Sequence, residues 1–436
     1  MEWVENIPAL VKIILVLVIV VGALKFRVSL SLSMLLGGIF LGVFFQMSPA
    51  TFGTAVFEGI ISIDTISLVI IVGGILILSN AMSVSGRLER IVTSFKCLVG
   101  GSRISLVTFP ALIGLLPMPG GAVFSAPMVG AISENTTLPP NHKTIINYWF
   151  RHIWEYWFPL YPGVILAITL THIPAWKFIL LNMPMTIISL IVGYVIILRH
   201  ISLSNDVPKE YSRKNIRGFI NELIPILLMV GTLLILGILI NLLQKLAGTS
   251  SKAIERLPIL VGLGLSISWV VIADKLEWEK VKSILLKRSV WELGLLVSTI
   301  MVFRSLLEHS GGVETLKNEL LTYHIPVIGL VMVLPFIAGI LTGIAIGFVG
   351  VSFPIVITLI ATMGEPMSSL YAPLFIAYVF GYIGMMLSPV HLCLLLTKDY
   401  FKANLLEVYY RYLIPLGVII IMSALLIFLL YTTLKI

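Results

Sequence analysis

Long apolar runs separated by short charged segments divide the chain into blocks of membrane-spanning length. Runs at about 7–24, 28–46, 62–84, 143–171 and 177–198 precede a polar stretch at 199–218. Further runs follow at about 219–243, 256–273, 290–309, 371–397 and 404–433. A hydrocarbon core of about 30 Å takes roughly 20 helical residues, so each run predicts a transmembrane helix. Two other stretches are apolar enough for a membrane but do not read as single helices. The first, at about 104–131, carries Pro117-Met118-Pro119-Gly120-Gly121 in its middle. Proline lacks an N–H and clashes with the preceding turn, and Gly-Gly is the most permissive pair available. Each arm is too short to cross, which predicts a re-entrant hairpin; one kinked helix is the plainer alternative. The second, at about 325–362, turns at Thr342-Gly-Ile-Ala-Ile-Gly347, and close helix packing is the plainer reading of its repeated glycines. Non-helical backbone at membrane depth is tolerated only inside protein or beside a water-filled cavity, so both tips are expected to face a cavity.

Two of the long runs are themselves interrupted. The span 143–171 holds Pro159, Pro162 and Gly163 near its middle, and 371–397 holds Ser388-Pro389. Both predict discontinuous helices. Basic amphipathic residues after 86, and a similar stretch at 311–317, suit helices lying in the interface. Residues 47–58 read as a loop, and Gly38 to Gly42 as a close-packing small-residue pair.

The two halves superimpose as sequence. Ser85-Gly86 stands 225 positions before Ser310-Gly311, and Pro110 stands 225 before Pro335. After the tips, Pro127 and Pro354, then Pro162 and Pro389, are 227 apart. The expected fold class is an all-α polytopic membrane protein. It has two inverted repeats, each of five transmembrane helices plus one re-entrant hairpin, with a discontinuous helix after each hairpin. Repeat 1 is 1–198, the linker 199–218 is cytoplasmic, and repeat 2 is 219–436. Five crossings per repeat is an odd number, which inverts the second repeat. Lys and Arg then collect on one side, at 25–27, 87–103, 199–217, 274–288 and Lys398/Lys402, with Lys245, Lys252 and Arg256 as exceptions. That side is the cytoplasm, which leaves both termini outside a multi-pass protein of the cell (cytoplasmic) membrane.

Composition agrees: of 436 residues, 58% are hydrophobic and 11% charged, with mean hydropathy +1.06. The net charge of +8 belongs to cytoplasmic loops and implies no nucleic-acid partner. Cys97 and Cys393 offer neither a disulfide framework nor a CxxC metal pattern. Glu2 and Glu5 stand where a cleaved signal peptide would carry basic residues. No phosphate loop, HExxH, GxSxG, voltage-sensor repeat or potassium-channel filter is present, so neither an ATP-driven pump nor a familiar enzyme or cation channel is expected, and no cofactor.

Ionisable residues inside spans are costly and mark function by default. Arg151, His152 and Glu155 stand just before the first break, with Arg151 and Glu155 at helical i,i+4 spacing. Arg151 is a candidate carboxylate clamp, and His152 and Glu155 are candidates for coupling; a self-satisfied Arg–Glu pair is the plainer reading. His391 holds the analogous place in repeat 2. Asp64, Arg304 and Glu308 read as interfacial. Broken helices present N–H ends that favour anions and carbonyl ends that favour cations. The candidate substrate-binding set is therefore Pro117, Met118, Pro119, Gly120, Gly121, Thr342, Gly343, Gly347, Arg151, Pro162, Gly163, Ser388, Pro389 and His391, with Na⁺ as a possible ion at the hairpin tips.

Paired inverted repeats, each with a hairpin followed by a broken helix, resemble the ion transporter superfamily of secondary carriers. Leu116-Pro-Met-Pro-Gly-Gly-Ala-Val-Phe-Ser-Ala-Pro127 and Leu387-Ser-Pro-Val-His391 resemble its prokaryotic membrane family labelled domain of unknown function 401. The resemblance implies a homodimer with a scaffold domain and a transport domain that moves as an elevator. Sodium/dicarboxylate carriers of that superfamily place Ser-Asn-Thr at the hairpin tips; this chain has Met-Pro-Gly-Gly and Thr-Gly-Ile-Ala-Ile-Gly. The expected function is secondary transport of a small organic anion across the bilayer, coupled to H⁺ or Na⁺. The alternatives are a lipid-linked or apolar substrate, a channel, or a membrane-embedded enzyme.

Overall fold

The computed structural model describes residues 6–99, 103–115, 117, 120–134, 136–199, 201, 213–248, 252–323, 326–361 and 371–434. Among these no β-strand occurs; a bilayer interior leaves backbone groups no partner but their own helix. The first half comprises α1 (Ala9–Lys25), α2 (Leu30–Phe44), α3 (Pro49–Ile61), α4 (Ile63–Val84), α5 (Arg87–Val99), α6 (Arg103–Gly114), α7 (Ala122–Ile132), α8 (Pro140–Arg151), α9 (Pro162–Thr171) and α10 (Ala175–Val192). The last of these continues as a π-helical segment, Gly193–Leu198. The second half comprises α11 (Arg213–Ala247), α12 (Lys252–Glu255), α13 (Leu257–Ala273), α14 (Trp278–Leu285), α15 (Arg288–His309), α16 (Gly312–Thr322), α17 (Val327–Thr342), α18 (Ala345–Ala361), α19 (Tyr371–Met386), α20 (Leu392–Phe401) and α21 (Leu405–Leu434). Five stretches, 63–84, 175–198, 216–247, 278–309 and 405–429, are long and apolar enough to cross a membrane, and eight shorter helices are apolar as well. The protein is a multi-pass, all-helical membrane protein.

Three local expectations are corrected. Residues 49–61 are a helix, not a loop. Ser48 accepts a hydrogen bond from the Thr51 N–H and Pro49 occupies the first turn, a start signal that the apolar pattern alone obscured. Within 274–288, Trp278–Leu285 forms the short helix α14. The first break opens at His152, seven residues before Pro159, so Arg151 is the last helical residue of α8. Arg151 and Glu155 therefore do not share a helical face. His152 faces Glu155 instead, with 3.8 Å between Nε2 and Oε1. The reason is tertiary, because the turn is held by hydrogen bonds from other helices. Most of linker 199–218 lies outside the described residues, as do Met118 and Pro119.

Proline sites show how neighbouring helices repair the ladder. Pro225 in α11 has no N–H for the Asn221 carbonyl, and Arg87 Nη1 donates to that oxygen at 3.1 Å. Ser266 Oγ donates to the Pro225 carbonyl at 2.7 Å. Arg87 and Arg90 of α5 also pair with Glu222 of α11 and with Asp274 at the end of α13, which pins the amphipathic helix to the spans above it.

One packing pattern recurs in both halves. The first hairpin arm packs on the first part of the following broken helix: α6 on α8, and α17 on α19. The second part of each broken helix packs on the other half's hairpin: α9 on α18, and α20 on α7. Gly114 and Gly339, matched in the sequence register, make the first of these contacts possible. A Cβ on Gly114 would meet the Arg151 carbonyl, and one on Gly339 would meet the backbone of Gly381 to Met385. Helix packing is thus the role of Gly339.

Candidate functional site

Both helix breaks and both hairpin tips come together. The Arg151 guanidinium lies against Gly121, where a Cβ would occupy its place. Gly120, in a left-handed turn at φ +71°, packs on Leu392 and Leu396 of α20. Gly163 packs on Ala345 and Ile346, where a Cβ would stand 2.6 Å from the Ala345 methyl. Gly343, left-handed at φ +64°, closes on Ser388 and His391. Gly347 packs on Thr342 within its own tip, and Thr342 Oγ1 donates to the Ala338 carbonyl at 2.8 Å, an intrahelical bond. Pro117 is buried, Pro162 occupies the first turn of α9, and Pro389 is exposed. The described members of the candidate set thus cluster, with Arg151, His152 and His391 all at most 5% exposed.

Broken helices leave carbonyls without intrahelical donors, and here side chains from the opposite element supply them. At tip one, the Tyr161 hydroxyl donates to the Gly114 carbonyl, and Trp154 Nε1 adds a second donor, at 2.8 Å, to the Ala111 carbonyl, which also accepts from the Leu115 N–H. At tip two, Ser388 Oγ donates to the Ile340 carbonyl at 2.6 Å. The breaks answer each other. Tyr382 and Tyr378 of α19 donate to the carbonyls of His152 and Glu155 at 3.2 and 2.7 Å, and Tyr148 of α8 donates to Met386 at 3.0 Å. Thr186 takes the Ile153 carbonyl at 2.5 Å. The carbonyl ends are therefore engaged by protein donors. The N-termini of α7, α9 and α20 instead start with no side-chain cap. The N-terminus of α7, whose cap residue Gly121 touches the buried Arg151 guanidinium, is an electropositive environment.

Sequence reasoning missed the tyrosines and Cys393. Tyr378 and Tyr382 are one helical turn apart on α19, which places them on one face, but nothing in the sequence says that the face meets a broken backbone. Cys393 lies two residues past His391, and its thiol is within 4.8 Å of the donor nitrogens of His391 and His152. The remaining charged candidates gather elsewhere: Asp64 pairs with Arg256 at 2.5 Å, and Arg304 with Glu308 at 2.8 Å. A cavity of about 690 Å³ lies beside Arg256, His172 and Lys177.

No curated protein matches the chain. Among solved structures, the fold is similar to that of the YdaH transporter of Alcanivorax borkumensis, described as having an unusual topology. The TM-score is 0.56 at 15% identity, over 87% of this chain and 88% of that one. The family model described as "Protein of unknown function (DUF401)" matches residues 9–430, nearly the whole length, and the chain belongs to that family.

Proposed function

We propose that the protein is a secondary active transporter that moves a small organic anion, a carboxylate, with H⁺ or Na⁺ as coupling ion. The observation that carries the reading is the buried Arg151 guanidinium packed on the glycine tip of one hairpin, at the uncapped N-terminus of α7. An arginine fork matches a carboxylate in a bidentate geometry. In this reading, tips and breaks form one substrate site: Pro117 to Gly121 and Thr342 to Gly347 close on Arg151, Pro162, Gly163, Ser388, Pro389 and His391. His152 and Glu155 stand next to it for coupling, and Na⁺ is a candidate at the tips. The recurring packing of the two halves supports two inverted repeats that exchange their broken helices. Helices α1–α4 and α11–α15 then serve as scaffold, and the hairpins with α8, α9, α19 and α20 move as an elevator within a homodimer. The basic loops support a cytoplasmic-membrane location with both termini outside.

A second reading has its own support. The exposed side chains next to the tips are apolar: Val123, Phe124, Ile344, Val390 and Leu392. They suit a substrate with an apolar or lipid-linked portion behind its charged group.

The test is a thermal-shift screen of the purified protein against organic anions, with and without Na⁺ and across pH. A ligand at a hundredfold excess over its Kd stabilises the folded state by about 2.7 kcal/mol. A carboxylate whose shift disappears in Arg151→Ala supports the anion carrier. Unitary currents in reconstituted liposomes, without saturable flux, replace the carrier with a pore.

A further inference from the structure

The strongest unexplained feature is the meeting of His152, His391 and Cys393. Each imidazole is anchored through Nδ1 on a backbone carbonyl: His152 on Tyr148 at 2.6 Å, and His391 on Met385 at 3.3 Å. A carbonyl has no proton to give, so each Nδ1 carries the hydrogen, and in the neutral ring each Nε2 then presents a lone pair. Yet the two Nε2 atoms stand 3.0 Å apart, in residues 1% and 5% exposed. Two bare lone pairs at that distance repel, so something positive belongs between them. The ring centres are 4.7 Å apart and the ring planes lie at 86°. A head-on N–H···N bond of 3.0 Å would hold the centres farther apart. The rings lean toward each other instead. The Cys393 thiol is the third donor, all three donor atoms lying within 4.8 Å of one another. Glu155 Oε1, 3.8 Å from His152 Nε2, stands on the margin of the group.

We infer that these three side chains form a binding site for a divalent transition-metal ion of the zinc type, with a fourth position open toward Glu155. Two imidazoles and a thiolate are the donor set such ions prefer. Zinc holds nitrogen at about 2.0 Å and sulfur at about 2.3 Å, which places donors about 3–4 Å apart, so a small inward rotation of the thiol completes the set. The carbonyl on each Nδ1 is the outer-shell arrangement that orients a ligating histidine and fixes its tautomer. Binding converts the Cys393 thiol to a thiolate and releases its proton. The ion would tie the break after α8 to the break before α20, elements 239 positions apart in the chain. It would also withdraw His152 from proton coupling. The inference stands on this geometry and not on the anion-carrier reading.

The test uses the purified full chain, stripped with a chelator and then reloaded with Zn²⁺ or Co²⁺. Wild type should retain one equivalent of zinc per chain, and the cobalt form should show thiolate-to-metal charge-transfer absorption. Cys393→Ser, close in shape, should abolish that absorption and weaken zinc binding more than about 100-fold, beyond the loss typical of an outer-shell change. His391→Ala should lose the equivalent as well, with size-exclusion profiles establishing that each variant is folded. Cys393→Ser should lose the metal while keeping any anion-dependent thermal shift, which separates the two readings. Wild type that takes up no zinc, or a Cys393→Ser protein that keeps the charge-transfer band, overturns the site; a proton shared by the two imidazoles then takes the metal's place.

Discussion

At the scale of single residues, the glycines at the tips divide by what a methyl group would meet. Gly121 has an ordinary helical φ, so alanine there is not strained in its backbone, but its Cβ takes the place of the Arg151 guanidinium. Gly121→Ala should therefore fold and lose the anion-dependent thermal shift, the signature of a displaced clamp. Gly114→Ala is different in kind, because its methyl meets the Arg151 backbone carbonyl, which cannot rotate away. Overpacking of that sort costs about 1–3 kcal/mol, and a lower unfolding temperature in detergent should report it even without ligand. Gly237, with nothing near its added Cβ, is the control and should stay within about 0.5 kcal/mol of wild type. The Pro-Met-Pro-Gly-Gly run predicts tip one from sequence, since proline and glycine act on their own backbone. The neighbour that each glycine admits was not legible, because that neighbour is distant in the chain.

At the scale of elements, partner side chains do the work that helices cannot do for themselves. The α1 N-terminus is capped from afar: Glu319 of α16 accepts from the Ala9 and Leu10 N–H groups at 2.6 and 3.0 Å. Loss of a cap costs about 0.5–2 kcal/mol, so Glu319→Ala should speed hydrogen exchange at the first turn of α1 while α4 stays protected. The interfacial helix α5 is held by two arginines of unequal worth. The Arg87 side chain is 4% exposed and that of Arg90 is 43%, and both face Glu222 and Asp274. Removing one partner of a buried charge pair costs about 3–5 kcal/mol, and Arg87→Ala should fall near the low end because Arg90 still answers both carboxylates. Arg90→Ala should cost at most about 1 kcal/mol, as exposed pairs do. Equal effects in a thermal-unfolding comparison would contradict this ranking. The broken helix at 143–171 was readable from Pro159, Pro162 and Gly163. Its opening at His152 was not, since the turn is held by Tyr378, Tyr382 and Thr186 from other helices.

At the scale of the molecule, the proposed elevator requires the hairpin block to slide past the scaffold. Gly350 of α18 faces Ile300 of α15 across that boundary, close enough that a Cβ would press on the isoleucine side chain. Cysteines introduced by Ile300→Cys and Gly350→Cys, joined by a short bis-thiol reagent, should stop flux in liposomes and leave the ligand-dependent thermal shift intact. Undiminished flux in the cross-linked protein would rule out sliding at this contact. In the proposed reading, the interleaving of α9 with α18 and of α20 with α7 means that each half completes the other's site.

The sequence by itself determined the helical, multi-pass class, and it predicted two hairpin turns and two helix breaks. These follow from apolar length, proline and glycine, whose effects act within a few residues of where they stand. It also pointed to Arg151, His152 and His391, because ionisable groups within apolar runs are conspicuous. Only the tertiary structure decided that Tyr148, Tyr378 and Tyr382 hold the broken backbone and that Cys393 joins the two histidines. The tyrosine contacts link residues 223 to 238 positions apart and the two histidines are 239 apart, and neither periodicity nor spacing carries information over that range.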